Sequence, residues 1–180
     1  MQVTAELLEK AISFALEKHK GVKRKGDGRP YILHPLSVLH TLTAIKKSKN
    51  AFLLATVCVL HDCVEDCDVT IQEIAELFGY NVAAMVEELT SDKAEIKKIG
   101  KTAYLINKML HMSSYALCIK LVDRLDNIKD MGSMDAAFKE KQINSTTEIL
   151  EALAVGRKLT KTHKLIMAMI AKEMGKYSKK

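Results

Sequence analysis

The sequence has few of the residues that stack on nucleic-acid bases. Trp is absent, and aromatic residues make up only 5% of the 180 residues. Proteins that bind single strands stack successive bases on aromatic side chains, and no known nucleic-acid-binding motif is present. A nucleic-acid partner is therefore not expected.

Long apolar runs are also missing. The longest run without a charged residue, 30–45, contains His34, His40 and both prolines of the chain. It falls short of the ~18–20 apolar residues that a membrane span needs. Glu6 and Glu9 lie where a secretory signal would carry a basic start followed by an apolar stretch. We therefore expect no membrane partner and a cytoplasmic location.

The third absence is that of strand signals. No segment alternates between apolar and polar residues over a useful length, and the hairpin dipeptide Asn-Gly does not occur. Apolar residues instead recur at helical spacing, which predicts an all-α protein with one domain over 1–180. We expect helices at about 4–21, 35–45, 51–65, 70–79, 81–89, 96–111, 113–128, 134–155 and 159–174.

The cysteines do not form a metal-binding or redox motif. Cys58, Cys63, Cys67 and Cys118 contain no CxxC pair, and they lie in segments that otherwise have the pattern of apolar helices. Buried, reduced thiols are predicted. We expect four histidines to be surface or packing residues and not metal ligands: His19, His40, His111 and His163.

Positive charge is in excess and partly concentrated in one loop. The 28 Lys and Arg against 22 Asp and Glu give a net charge of +6, which suits a polyanionic partner such as a phosphorylated metabolite. Part of the excess lies in a basic tail at about 175–180. The rest includes Lys23, Arg24 and Lys25, in a loop rich in glycine. A solvated turn would explain this loop equally well.

Four ionisable side chains follow directly after the apolar run 51–60. They are His61, Asp62, Glu65 and Asp66. A buried, unpaired carboxylate is costly to ionise, so several together favour a compensating cation, and imidazole with carboxylate is a common divalent-metal ligand set. A salt-bridged helix end is the alternative, but the polar segment that follows lacks basic partners.

Two further segments can contribute to such a site. Asp123 lies among apolar neighbours, and Asn127 is four residues on, so it shares the same helix face and can orient a ligand or bind substrate. His34, just after the basic loop, can supply a further ligand. A set of nitrogen and oxygen donors without thiolate suits Mn²⁺, Fe²⁺ or Zn²⁺, and spacing leaves the choice open.

The order of these residues matches a known superfamily. His34, then His61-Asp62, then Asp123 resembles the HD superfamily of metal-dependent phosphohydrolases. Longer segments are similar to the hydrolase domain of the RelA/SpoT homologue family over about 7–153, and the similar segments are 24–35, 60–66, 78–79 and 120–127. That branch hydrolyses the alarmones (p)ppGpp to GDP or GTP and pyrophosphate.

The resemblance implies a compact multi-helix bundle and a role for each matching residue. It implies one Mn²⁺ held by four ligands: His34, His61, Asp62 and Asp123. It implies that Glu65 and Asp66 position and deprotonate the attacking water. Arg24 would stack on the guanine and Asn127 would lie near the nucleotide, while the cations of Lys23 and Lys25 would face the polyphosphate. Since the chain ends before a synthetase domain would begin, a stand-alone alarmone hydrolase of the small metazoan type is expected.

Three departures from the family pattern bear on the substrate. Cys63 and Cys67 flank the acidic pair, Asp126 replaces an aromatic residue or histidine, and no tyrosine occurs in 140–149. Hydrolysis of another nucleotide, such as the 2′-phosphate of NADPH or a nucleoside monophosphate, therefore stays open. A non-catalytic module that binds nucleotide or RNA is the third alternative.

Overall fold

A computed structural model describes residues 3–177 of the chain. Every regular element in this range is helical, and the only strand-like pairing there is an isolated bridge between Lys23 and Pro30. The all-α prediction is confirmed. None of the described helices is both long and apolar enough to cross a membrane. Of the predicted basic tail, Lys179 and Lys180 lie outside the described residues.

Backbone packing divides the chain into two compact units, Met1–Thr90 and Ser91–Lys180. The first unit packs around one central helix, α3, which contacts α1, α2 and α6. All residues of α3 from Leu54 onward are buried, as expected of a helix that is apolar on every side. The helices of this unit are α1 (Ala5–Lys18), α2 (Leu33–Ile45), α3 (Ala51–Leu60), α4 (Cys63–Asp66), α5 (Ile71–Phe78) and α6 (Tyr80–Leu89).

The helix that was predicted over 51–65 is interrupted at His61-Asp62. Helix α3 ends at Leu60, and the short helix α4 begins at Cys63. The His61 ring nitrogen Nδ1 lies 2.7 Å from the carbonyl oxygen of Cys58, which is the acceptor that a continuing helix would offer to the N–H of Asp62. The two candidate ligands therefore lie in a turn between helices and not within one helix.

The second unit is also built around an apolar helix, α9, which packs against α11, while α8 packs against α10. The predicted helix over 96–111 is two helices, because Gly100 between them has a φ of 86°, which a helix cannot accommodate. The elements of this unit are α7 (Lys93–Ile99), α8 (Lys101–His111), α9 (Ser114–Lys129), a 3₁₀ turn (Asp130–Ser133), α10 (Ala136–Gly156) and α11 (Lys161–Met174).

Candidate metal centre

One carboxylate oxygen of the first unit collects three polar contacts. Asp62 Oδ2 lies 3.2 Å from Nε2 of His61 and 3.4 Å from Nε2 of His34. The hydroxyl of Tyr31 donates to the same oxygen at 2.7 Å. His34, at the start of α2, and His61 are almost fully buried, and Asp62 is 9% exposed. The structure thus brings three of the four predicted metal ligands together within one compact unit.

The protonation of His61 decides what this cluster can bind. A ring nitrogen that lies 2.7 Å from the carbonyl oxygen of Cys58 must carry a proton, so Nδ1 is the donor. In a neutral ring, Nε2 then presents its lone pair toward Asp62. A lone pair and a carboxylate oxygen 3.2 Å apart repel each other unless a positive charge, either a second proton on the ring or a metal ion, lies near both. The donor set therefore fits a divalent metal ion, with the backbone holding the ligating tautomer.

The electrostatics of Asp62 favour its ionised form. Burial alone would raise the pKa of this carboxyl group, but in the metal-free protein the positive charge of a protonated His61 ring and the hydrogen bonds that protonated His34 and His61 donate outweigh burial. The pKa of Asp62 is held well below its ordinary value. An ionised carboxylate is the form in which Asp ligates a metal.

Tyr31 is a part of this cluster that the sequence reasoning missed. Its ring meets that of His34 edge to face, with 5.7 Å between the ring centres, and it packs on His19 at 4.8 Å. Burial, followed by the charge of Asp62, raises the pKa of the Tyr31 hydroxyl, so this group stays a hydrogen-bond donor. The sequence signals for it were its position three residues before His34 and its place in the family-like segment 24–35, and neither assigns a role to its side chain.

The two predicted catalytic acids follow Asp62 on the short helix α4. Glu65 is half-buried and Asp66 is exposed. The backbone N–H of Asp66 donates to the carbonyl of Asp62 at 2.9 Å, so this one turn ties the acids to the ligand. A proton acceptor therefore lies within one helical turn of the cluster.

The basic loop is a tight turn whose ends are joined by backbone hydrogen bonds. The N–H of Arg24 donates to the carbonyl of Arg29 at 2.9 Å, and the N–H of Tyr31 donates to that of Val22 at 2.9 Å. Lys23 and Lys25 are exposed, whereas Arg24 is half-buried. The guanidinium carbon of Arg24 lies 6.0 Å from the centre of the Tyr31 ring. The turn thus places one of the predicted substrate-binding cations, that of Arg24, next to the residue that contacts Asp62.

Two cysteines and a histidine lie behind Tyr31. The Sγ atom of Cys67 is 3.2 Å from Nδ1 of His19, and that of Cys63 is 3.8 Å from Nε2 of His19. Burial is the main reason that the pKa of Cys63 is raised to about 12 and that of Cys67 is raised as well. Both thiols are therefore protonated at neutral pH. All four cysteines are free, as predicted, and Cys58, Cys63 and Cys118 are buried, whereas Cys67 is only half-buried. His19 is buried and packs between them and Tyr31.

In the second unit, Asp123 lies on α9 with two partners on the same helix. Asn127 donates its Nδ2 hydrogen to Oδ1 of Asp123 at 2.6 Å, and Nζ of Lys120 lies 3.0 Å from Oδ2. The Asp123 side chain is only 10% exposed. Of the two predicted roles of Asn127, orienting a ligand is the one that this contact supports, because its amide holds the Asp123 carboxylate.

Each unit contains buried residues whose side chains are of types that ligate metals. His34, His61 and Asp123 are buried, and each offers one ligand atom of a kind that divalent ions accept. Asp126, the departure noted in the sequence, is also buried on α9.

The sequence model of the HD domain matches residues 11–157 of the chain. The chain belongs to the HD domain family. The match spans His34, His61-Asp62 and Asp123, the residues on which the predicted resemblance rested. That resemblance is confirmed.

Two relatives within the family have similar sequences over most of this HD domain chain. A guanosine-3′,5′-bis(diphosphate) 3′-pyrophosphohydrolase of Aquifex aeolicus is 36% identical over 83% of this chain, which spans only 21% of that protein. The human guanosine-3′,5′-bis(diphosphate) 3′-pyrophosphohydrolase MESH1 is 38% identical over 71% of this chain and 70% of its own length. This HD domain chain thus spans about a fifth of the first relative and most of the second.

A solved structure shares the fold of this HD domain. It is that of a metazoan orthologue of SpoT that hydrolyses ppGpp and plays a role in starvation responses. The two align with a TM-score of 0.80 over 96% of this chain and 97% of the other, at 24% sequence identity. The all-helical HD architecture that was expected from the sequence is therefore confirmed.

Proposed function

We propose that this HD domain hydrolyses the 3′-pyrophosphate of (p)ppGpp to give GDP or GTP and pyrophosphate. The observation that carries the proposal is the cluster of His34, His61 and Asp62, with acids one turn later on α4. The names of the relatives that are 36% and 38% identical to the chain support the same reaction. The substrate and the cofactor are proposed from these relatives and from the donor set together.

The proposed metal ligands are His34, His61, Asp62 and Asp123. Two imidazoles and two carboxylates form a donor set without thiolate, which supports Mn²⁺ and is compatible with Zn²⁺ or Fe²⁺. A divalent ion held there supplies positive charge that lowers the pKa of a nearby water and neutralises phosphate oxygens. Manganese as the resident ion and a cytoplasmic location stay predictions from the sequence.

Asp123 enters the proposal as an oriented, charged ligand. The amide of Asn127 holds one of its oxygens, and Lys120 lies 3.0 Å from the other. Fixing the carboxylate in this way reduces the freedom that it would lose on ligation. Lys120 also compensates its charge in the metal-free protein.

The acids of α4 have the proposed task of activating water. A carboxylate that accepts the proton of the attacking water speeds the attack on phosphorus. The new bond joins the water oxygen to phosphorus, the bond to the ribose 3′ oxygen breaks, and that oxygen takes up a proton. Half-buried Glu65 and exposed Asp66 are the proposed catalytic acids.

The basic loop has the proposed task of binding the polyphosphate and the base. Exposed Lys23 and Lys25 carry positive charge toward a highly negative substrate. The flat guanidinium of half-buried Arg24 can stack on a purine face, which a lysine could not reproduce. A guanosine polyphosphate has both the negative charge and the purine base that these side chains would bind.

The experiment that tests the proposal is a product assay with two substrates. Purified protein is incubated with ppGpp and, in parallel, with NADPH, each with Mn²⁺ or with EDTA. Release of pyrophosphate from ppGpp only when Mn²⁺ is present is expected. Phosphate release from NADPH without any turnover of ppGpp would assign another nucleotide, and no turnover of either with Mn²⁺, Zn²⁺ or Fe²⁺ would contradict the proposal.

A further inference from the structure

Tyr31 contacts the cluster of candidate metal ligands, although it is neither a histidine nor an aspartate as those ligands are. It ends the basic loop and precedes α2, three positions before His34 in the sequence. Its hydroxyl donates to Oδ2 of Asp62 at 2.7 Å, the shortest of the contacts described for that oxygen. Tyr31 is thus linked to one candidate ligand by a hydrogen bond and to another by an edge-to-face ring contact at 5.7 Å.

The direction of this hydrogen bond is fixed by the chemistry of both partners. An ionised carboxylate can only accept, and a protonated phenol can donate. The donor takes up one lone pair of Oδ2 and leaves Oδ1 and the remaining lone pair available to a cation. A carboxylate that is held at one oxygen also loses its freedom to rotate about the bond to the β-carbon. Both effects favour one orientation of Asp62.

The ring of Tyr31 is itself held in place from behind. His19, buried near the end of α1, packs on it with an interplanar angle of 31°. The His19 ring is in turn contacted by Sγ of Cys67 at 3.2 Å. A hydroxyl on such a packed ring keeps its position, as a group that orients a ligand must.

We propose that Tyr31 is a positioning residue that holds Asp62 in the orientation that binds the metal ion. The inference rests on the metal site of the proposed function and assigns a role to a residue outside the four ligands. Partners that hydrogen-bond a ligand typically change metal affinity about 10–100-fold when they are removed. Tyr31 also joins this site to the basic loop, because Arg24 lies over its ring.

The experiment compares Tyr31→Phe with Tyr80→Phe in the full chain. The first variant removes one oxygen and keeps the ring that packs on His19 and His34. The second makes the same change at a tyrosine that is 80% exposed. Binding of Mn²⁺ to metal-free protein is measured by isothermal titration calorimetry, together with the melting temperature without metal. Tyr31→Phe should weaken Mn²⁺ binding about tenfold or more, and Tyr80→Phe should leave the affinity unchanged.

The outcomes separate this inference from the proposed substrate. If the Mn²⁺ affinity of Tyr31→Phe equals that of the wild type, the positioning role is overturned, whatever the activity on ppGpp. If both tyrosine variants weaken Mn²⁺ binding equally, the effect is general and the inference fails. The inference also fails if Tyr31→Phe lowers the metal-free melting temperature so far that part of the protein is unfolded in the titration and this fraction accounts for the loss of affinity. A weakened affinity in a chain that does not hydrolyse ppGpp supports the inference and contradicts only the proposed substrate.

Discussion

Asn127 shows how a single amide can be tested for its role. It donates to Oδ1 of Asp123 at 2.6 Å, so replacing it with Leu should weaken Mn²⁺ binding about tenfold even without substrate, because Asp123 loses its orienting donor. The measurement is calorimetric titration of metal-free protein, with Asn107→Leu on α8 as the control at an exposed amide. An unchanged Mn²⁺ affinity combined with a raised KM would instead make Asn127 a substrate contact.

His19 is expected to make the stability of the folded protein depend on pH. Burial, the largest cause, lowers the pKa of His19 below its ordinary value of 6.5, against the opposing charge of Asp62. Below pH 6.5 the unfolded chain therefore binds more protons than the folded one, so the free energy of unfolding falls as the pH decreases and His19 is gradually protonated. Denaturant unfolding with EDTA between pH 7.5 and 5 should show a weaker decrease for His19→Gln than for the wild type.

The control for this pH dependence is His40→Gln, at an exposed histidine. It should leave the slope of stability against pH as in the wild type. Equal slopes for the wild type and His19→Gln would contradict the assignment to His19.

At the scale of residues, the sequence predicted those candidate site residues whose position relative to an apolar run or a loop can be recognised. His61, Asp62 and Asp123 became candidate ligands because polar residues interrupt apolar helical runs, and His34 because it follows the basic loop. Tyr31 and His19 were not found. Their contribution depends on how the loop after α1 folds back, which places a ring and a hydroxyl where no periodic pattern predicts them.

At the scale of elements, hydrophobic periodicity predicts where helices lie but not where one helix ends and the next begins. Gly100 separates α7 from α8 with φ 86° and ψ 150°, a region that is almost restricted to glycine and costs other residues ~1–3 kcal/mol. Gly100→Ala should therefore lower the free energy of unfolding by ~1–3 kcal/mol, measured by urea denaturation.

The matched control for Gly100→Ala is Gly132→Ala. An added Cβ meets no atom within 4 Å at either position, and only Gly100 has a positive φ. Gly132→Ala should change the stability by less than ~0.5 kcal/mol, as is usual for an exposed substitution. Equal effects of the two substitutions would show that backbone strain does not set the helix break.

Helix starts were predictable where a side chain caps them, and helix ends were less so. Thr70 accepts from the N–H of Glu73 at 3.1 Å, and Ser113 accepts from that of Ala116 at 3.3 Å. The helices predicted over 70–79 and 113–128 start at these two residues. The breaks at His61-Asp62 and at Gly100 were missed. At Gly100 the apolar spacing continues across the break, so the pattern alone predicts one helix. At His61-Asp62 the apolar run does end, but the predicted helix was extended past it to residue 65.

At the scale of the whole molecule, net charge links the chain to its proposed substrate. The chain carries a net charge of +6, and Lys23 and Lys25 are exposed in the loop next to Tyr31. Since exposed charges are screened by salt, the KM for ppGpp should rise with ionic strength. The rise should be smaller in Lys23→Gln/Lys25→Gln, whereas Lys161→Gln/Lys164→Gln on α11 should behave like the wild type. Identical salt dependence of all three proteins would contradict the role of the loop.

The family match, over 11–157, extends across both compact units. The fold class and the family were predictable because helical periodicity and an ordered set of motifs are properties of the sequence alone. That the chain acts as one domain stays a prediction.

The most direct test of the proposed metal site is the number of Mn²⁺ ions bound per chain, measured by calorimetric titration of metal-free protein. The wild type and Asp68→Asn, at an exposed acid two residues after Asp66, should each bind one ion. Asp62→Asn and Asp123→Asn should each weaken binding by at least ~100-fold, the upper range for residues that only support a ligand. Unchanged binding in Asp62→Asn or in Asp123→Asn would contradict a shared site built from these residues.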